Sequence, residues 1–530
     1  MTTREYLDEQ LVAQETATNR RALTELRDAW KRSGVRLSES AALQMCVRTA
    51  LPRLEAASPQ QLEEWVVEHK VLRSKKGVSI DVDAGRLMVS ERRADPKSRR
   101  IAIGFLRLRS KATSPRAPLF FLNGGPGSRA VTESPGALDF WAPLLEVSDV
   151  VLIDQRGTAD EALQYEWEES PPLDFFVSVE SANRHVAAMQ QKALESFKSR
   201  GVDLAGYTTV ESAADLDELR AALGLDRVSL LGFSYGTHLT CAYLRSFGSR
   251  VENAVLLGVE GPDQTQKLPW TMDTQLRKLS LMAARDSVIG RQVPDLVALY
   301  DRVVARLARQ SMVIPVPSPD GKDTLRVPVG PFGLRFIMRV DVGDATDLPV
   351  FPRLLWSIDH GDPSVLAWFV RKRAGAALGV HGMGESMDAA SGVSKGRLAM
   401  IEEQSRTSRF ADVVNFPFLS GGPAWPVPDL GDDFRAPLVS PARALVISGG
   451  LDFNTPPSQG DELCWGMPNA THIVVANAGH EQTFFGNDNA MPVIQDFLRG
   501  KDVRDRKITY PELRFVPLEG RDPRHPSVSR

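Results

Sequence analysis

The chain has 530 residues, of which 42% are hydrophobic and 25% charged, the balance of a globular protein. Its 64 Lys plus Arg against 67 Asp plus Glu leave a net charge of -3, which argues against a broad electrostatic footprint for nucleic acid or an anionic membrane. Three cysteines are too few for a disulfide framework, and neither an apolar signal core nor a run of ~18 apolar residues stands out, so a cytoplasmic, reduced chain is expected.

At about 150 residues per domain the length predicts three or four units, a prior that one large α/β domain overrides. From Asp8 to about Lys31 the pattern is helical, and Gly34 follows as a stop. Ser38 and Ser58 read as caps of two further helices, the second with Pro59 at its first position and Gln61 completing a capping box. Residues 1–77 are therefore expected to form a helical extension. From Val78 the period changes to that of strands, at Val78–Val82, Arg86–Glu91 and Ile101–Arg109.

Short continuous apolar runs follow at Leu119–Leu122, Val150–Ile153, Val228–Leu231 and Ala254–Leu257, and runs apolar on both faces suit a buried parallel sheet. Helical patterns at Ser212–Leu223 and Tyr235–Arg245 alternate with them, which predicts a doubly wound α/β fold. The alternation breaks after Pro262. Helical segments near Gln275–Ala284, Leu296–Gln310 and Ser364–Gly375 share the next stretch with a Pro-rich and a Gly/Ser-rich segment. Strands return at Ala444–Ser448 and His472–Ala476, with a helix near Pro492–Leu498. The simplest account is one sheet in two halves, 78–262 and 438–503, interrupted by a mainly helical insertion over 263–437. The charged, Pro-containing tail, 504–530, is expected to be solvated or loosely docked.

Gly232-Phe233-Ser234-Tyr235-Gly236 sits directly after one strand pattern and before a helix. A sharp strand-to-helix turn needs small residues around its nucleophile, so that the backbones approach and the hydroxyl of Ser234 stands above the sheet. A serine needs a base, and the base needs an orienting acid. Asp452 follows the strand Ala444–Ser448, and His480 follows the strand His472–Ala476, in the order this turn motif implies. The rivals are His472, at the start of its strand, and Asp461, beyond the strand end in a helical pattern. Acyl transfer also needs donors for an oxyanion. The N–H of Tyr235 is one candidate, and the Gly-rich loop Asn123-Gly124-Gly125-Pro126-Gly127 supplies another.

Asn123–Gly127, Asp154-Gln155-Arg156-Gly157-Thr158, Gly232–Gly236, Gly450-Leu451-Asp452 and Gly479-His480 occur in that order. Together they resemble the α/β-hydrolase serine peptidases related to proline iminopeptidase and the tripeptidyl aminopeptidase-like enzymes. The resemblance covers roughly Val78 to Leu498, most of the insertion excepted. It implies the α/β-hydrolase fold with Ser234 as nucleophile, His480 as base and then acid, and Asp452 as its partner. Gly125 and Tyr235 would supply the oxyanion donors, and the insertion would be a cap that selects substrates. The implied activity is removal of residues from a free N-terminus, which needs anionic groups in the cap. Glu403 and Glu402, in Ala399-Met400-Ile401-Glu402-Glu403, are candidates for that role against a solvated helix face. Glu260, close after a strand end, is a further candidate.

The sequence departs from the family at Asn123, where His is usual, and in the cap, where no Trp-Glu pair occurs. Neither metal nor organic cofactor is implied. The expected partners are short peptides or small amides, without nucleic acid or membrane. An esterase with the same triad, or a non-catalytic binding protein with the same fold, are the alternatives.

Overall fold

The structure, a computed structural model, describes residues 65–158, 161–167, 172–318, 323–341, 347–373, 379–418 and 424–520. The helices expected at Asp8–Lys31 and after Ser38 and Ser58 lie outside the described residues. The chain divides into two compact units, one of residues 1–67 with 85–88 and one of residues 68–84 with 89–530.

Where the helical extension was expected to run on to residue 77, Trp65–Arg73 is instead a strand, β1. Trp65, Val66, Val67 and Val71 account for this, because aromatic and β-branched side chains fit a pleated surface better than a helix. Next come β2 (Ser79–Ser90), a single strand where two were expected, and β3 (Arg100–Leu108). Then follow β4 (Arg116–Leu122), β5 (Ser148–Ile153), the short β6 (Gln164–Glu166), β7 (Val228–Phe233) and β8 (Val251–Leu257). The hairpin β9 (Met312–Pro317) and β10 (Thr324–Val329) and the short β11 (Gly379–His381) belong to the insertion. The last two strands are β12 (Arg443–Gly449) and β13 (Ala470–Val475).

The main sheet has nine strands in the order β1-β2-β3-β5-β4-β7-β8-β12-β13. β3 runs antiparallel to β5, whereas β5, β4, β7, β8, β12 and β13 all run parallel. Every residue of β5 and β7 is buried, as a strand covered on both faces requires. Register decides where the chemistry goes. Leu122 pairs with Gly232, Phe233 with Leu257, Leu257 with Ile447, and Gly449 with Val475. The parallel strands therefore end side by side, and the loops at Asn123, Asp154, Ser234, Gly258, Gly450 and Ala476 leave one edge of the sheet together. In open α/β sheets that edge holds the ligand.

The stretch 263–437 is mainly helical, with helices at Trp270–Arg285, Leu296–Arg309, Pro331–Asp341, Phe351–Asp359, Ser364–Arg373, Gly382–Ser391 and Lys395–Ser405. The Pro-rich segment holds the β9–β10 ribbon. Pro315 and Pro328 fit because a two-stranded ribbon leaves edge positions without ladder donors. The Gly/Ser-rich segment holds β11 and the helix Gly382–Ser391. The helices between Trp270 and Arg373 and the β9–β10 ribbon share an apolar core with Phe175, Phe176 and Val186, and it also takes in Leu451 and Phe453 on either side of Asp452. The tail, expected to be solvated or loosely docked, is mostly exposed as far as residue 520 but anchored at a few points. Phe515, Val516 and Leu518 enter that same core, and Arg353 donates to the carbonyl of Gly520.

Candidate active site

Ser234 occupies the turn between β7 and the helix Tyr235–Phe247, with φ 54° and ψ -124°, the one non-glycine residue at positive φ among the described residues. Backbone held there costs of order 1–3 kcal/mol and persists only where its surroundings fix it. The surroundings do so here. The Ser234 N–H donates to Leu257 O at 2.9 Å, and the Thr237 N–H and hydroxyl both donate to Ser234 O. Gly236 is required by close approach, since a Cβ there would stand 1.9 Å from Leu122 O. The helix N-terminus behind Ser234 presents positive potential and unpaired N–H groups to whatever occupies the turn.

Asp452 is fully buried in the loop after β12. Its Oδ1 accepts from the N–H groups of Asn454 (2.8 Å) and Thr455 (2.9 Å), and its Oδ2 from the Thr455 hydroxyl (2.6 Å). Oδ2 also meets His480 Nδ1 at 2.7 Å. Burial pushes this carboxyl up, but the charge of His480 and these hydrogen bonds outweigh it and hold the group below its ordinary value. For His480 the balance is the reverse of that for a lone buried histidine. Burial pulls it down, while the Asp452 carboxylate raises it, with Glu481 adding in the same direction, so it lies above the ordinary 6.5. An ionised Asp452 only accepts, so Nδ1 carries the proton and Nε2 is left as the base.

Ser234 and His480 line one cleft of about 430 Å³, together with Gly124, Gly125, Ser128, Phe233 and Phe485. The Phe233 ring lies 4.9 Å from the imidazole of His480, centroid to centroid. Gly125, one of the expected oxyanion donors, is thus in the cleft wall. The N–H of Tyr235 is the first of the helix's leading donors, which have no carbonyl behind them within the helix. Its phenol points elsewhere, meeting the Thr209 hydroxyl at 2.9 Å and donating to Met387 Sδ.

The rivals pair with each other away from this cleft. His472 Nδ1 meets Asp461 Oδ1 at 2.8 Å, and Nε2 meets Ser448 Oγ at 2.9 Å, a second Ser-His-Asp set. Access separates the two sets. Ser448 is fully buried, and a Cβ on Gly460 would lie 2.9 Å from its Oγ and 2.7 Å from His472 Nε2. The helix Pro457–Cys464 seals that hydroxyl off from any substrate.

The candidate amine ligands are not brought to the cleft. Glu402 and Glu403 are exposed on the helix Lys395–Ser405, and Glu403 pairs with Arg406 at 2.5 Å. Glu260 is buried but already bound by Lys267. Two carboxyls that no motif singled out lie on an element that touches the Gly-rich loop. Glu385 and Asp388 lie on the helix Gly382–Ser391, which packs on the Gly-rich loop: a Cβ on Gly127 would stand 3.3 Å from Met383 Sδ, and one on Gly384 3.4 Å from Pro126 O. Burial pushes Glu385 up to about 7 and raises Asp388 as well, the latter with the charges of Glu260 and Glu385 adding. Thr455 and Gly258, which a Cβ would drive into His480, were likewise not legible as functional. Among the described residues no group of three or more His, Cys, Asp or Glu side chains stands together as a metal site, and no helix is long and apolar enough to cross a membrane.

Comparison with known proteins agrees with the fold. Residues 117–288 match the alpha/beta hydrolase fold, and residues 419–508 match the TAP-like protein family. The chain is 29% identical over 239 residues to serine protease Hip1 of Mycobacterium tuberculosis, covering 41% of this chain and 44% of that one. It is 28% identical over 194 residues to tripeptidyl aminopeptidase of Streptomyces lividans, covering 34% and 36% of the two chains. Over 142 residues it is 28% identical to proline iminopeptidase of Neisseria meningitidis, covering 27% and 32%. The chain spans less than half the length of these relatives.

Proposed function

From an α/β-hydrolase-fold chain similar to serine peptidases and aminopeptidases, we propose a serine aminopeptidase that cleaves short peptides or small amides through an acyl-enzyme. His480 Nε2 takes the proton of Ser234 Oγ as the oxygen attacks the scissile carbonyl. The N–H groups of Gly125 and Tyr235 receive the oxyanion, a contribution typically worth about 3 kcal/mol per donor. The imidazolium, stabilised by Asp452, then gives its proton to the leaving amine. Water repeats the cycle on the acyl-enzyme and releases the acid.

The observation that carries the aminopeptidase reading is the pair of carboxyls, Glu385 and Asp388, on the helix that covers the Gly-rich loop. A substrate ammonium offers these sequestered groups the counter-charge that would keep them ionised. An esterase needs no such groups.

Two measurements test the reading. A fluorophosphonate should label wild-type protein on Ser234, and Ser234→Ala should abolish both labelling and aminoacyl-arylamide turnover. Acetylating the substrate's amino group should remove most of the activity. Undiminished turnover of the acetylated substrate would favour the esterase, and absence of labelling would remove the hydrolase assignment altogether.

A further inference from the structure

We propose that Asp154 and Gln155 are positioning residues that grip the oxyanion loop at both ends from the neighbouring strand. β5 runs parallel to β4, with Phe121 beside Leu152, so the segment after Ile153 leaves the sheet next to the segment after Leu122. Gln155 Nε2 donates to the carbonyl of Asn123 at 2.7 Å, at the start of the loop. Asp154 Oδ1 accepts from the N–H groups of Ala130 (2.7 Å) and Val131 (3.0 Å), at its end, while Arg129 Nε lies 3.4 Å from Oδ2. Both gripping side chains are buried, Asp154 at 3% exposure and Gln155 at 4%. Between the two grips lie Gly124 and Gly125, the former so close to the nucleophile that its Cβ would be 2.8 Å from that of Ser234.

The grip is itself anchored. The Asp154 N–H donates to Gly104 O at 2.9 Å. The next residue, Arg156, is fully buried, and its guanidinium donates to both Asp215 oxygens (2.8 and 2.6 Å) and to the carbonyls of Glu91 and Gly206. A buried arginine so engaged has no freedom to drift, and Asp154-Gln155 inherit its fixity. Asn123 completes the arrangement. Its own Oδ1 accepts from the Gly124 N–H at 2.8 Å, so that donor is engaged, and the next residue, Gly125, lines the cleft. Oxyanion donors act only if they are in place before charge develops, and an error of about 1 Å in such a group costs about 100-fold.

The inference rests on the serine-hydrolase reading, but part of its test does not. Gln155→Met keeps the bulk and removes the donor; Gln155→Glu restores a donor only when the new carboxyl is protonated. Gln155→Met should lower kcat and the rate of fluorophosphonate labelling together, by about 10- to 100-fold, with KM changed less than about twofold. The activity of Gln155→Glu relative to wild type should rise as pH falls, a dependence that a merely structural residue would not produce. Hydrogen exchange in residues 123–131 should quicken in Gln155→Met and in Asp154→Leu, which removes the acceptor, without change in the helix Tyr235–Phe247. Unchanged exchange in the loop would overturn the grip whatever the activity. Faster exchange with unchanged labelling would overturn its role in positioning. If wild-type protein itself resists labelling, the hydrolase reading fails, and the exchange data still decide whether the loop is held this way.

Discussion

The imidazole of His480 occupies the space that a side chain on residue 258 would need: a Cβ on Gly258 would stand 2.9 Å from His480 Cε1 and 3.0 Å from Nδ1. Gly258 also has φ +60°, which an L side chain adopts at a cost of roughly 1 kcal/mol. Gly258→Ala should therefore lower kcat by about 100-fold through displacement of the ring, with a loss of stability of only about 1–2 kcal/mol. Steady-state kinetics beside urea unfolding measures both. A variant of normal kcat would show that the ring has room to spare.

Protonation of His480 sets the acid limb of activity. Because the Asp452 carboxylate outweighs burial and raises this imidazole above 6.5, the free base, and with it kcat/KM, should grow through a midpoint above that value. The linked effect on stability has the opposite sense. The folded state binds this proton more tightly than the unfolded one, so the stabilisation is complete below the unfolded value and fades as pH rises through the folded one. Asp452→Asn should move the kinetic midpoint down and reduce kcat by about 10⁴-fold. A pH–rate profile for each protein reads the two effects directly.

Thr455 bridges acid and base, with its hydroxyl 2.6 Å from Asp452 Oδ2 and 2.9 Å from His480 Nδ1. Thr455→Val removes the hydroxyl at constant shape. The carboxylate keeps its two backbone donors, so the fold should survive with a loss of about 1–2 kcal/mol. Catalysis should fall about 10-fold in kcat, with KM nearly unchanged, because the imidazole loses one of the two groups that orient it. A change confined to KM would argue that Thr455 acts on substrate instead.

Glu385 offers a measurement that does not depend on turnover. Its carboxyl lies at about 7 in the fold against an ordinary 4.5, so the folded state holds this proton over a range where the unfolded state has lost it. Its contribution is therefore favourable at acid pH and is lost as pH rises towards and past 7. Glu385→Gln should raise Tm by ~2–4 °C at pH 8 and by less than ~1 °C at pH 5. If Glu385 binds the substrate ammonium, the same variant should raise KM for a free-amine substrate by about 10-fold and leave that of its acetylated form unaltered.

The strand-end positions of Ser234, Asp452 and His480 were legible because each follows a strand in a short local pattern. The supporting residues were not, and the reason is distance along the chain. Gly258 matters only because the register of β8 and β12 brings His480 against it from far along the sequence. Thr455 stands three residues from Asp452, yet its hydroxyl has meaning only once His480 arrives. Glu402 and Glu403 were favoured by a local likeness, while burial, which no short pattern reports, separates them from Glu385. That residue sits in a Gly/Ser-rich stretch whose composition suggests a loop, and packing against Pro126 and Gly127 makes it a helix. The tail went the same way: its charges are visible in the sequence, but the destination of Phe515 and Val516 is not.

Leu451 and Phe453 are rooted in the insertion's apolar core, although the residue between them serves the sheet. The helix Trp270–Arg285 adds to this, since Gln275 and Lys278 donate to the carbonyls of Asp452 and Gly450. Exchanging the stretch 263–437 for one of another size would take away the footing of Asp452. Changes of preference in this scaffold are therefore better sought by altering single positions in the cleft wall than by trading the stretch 263–437 between relatives.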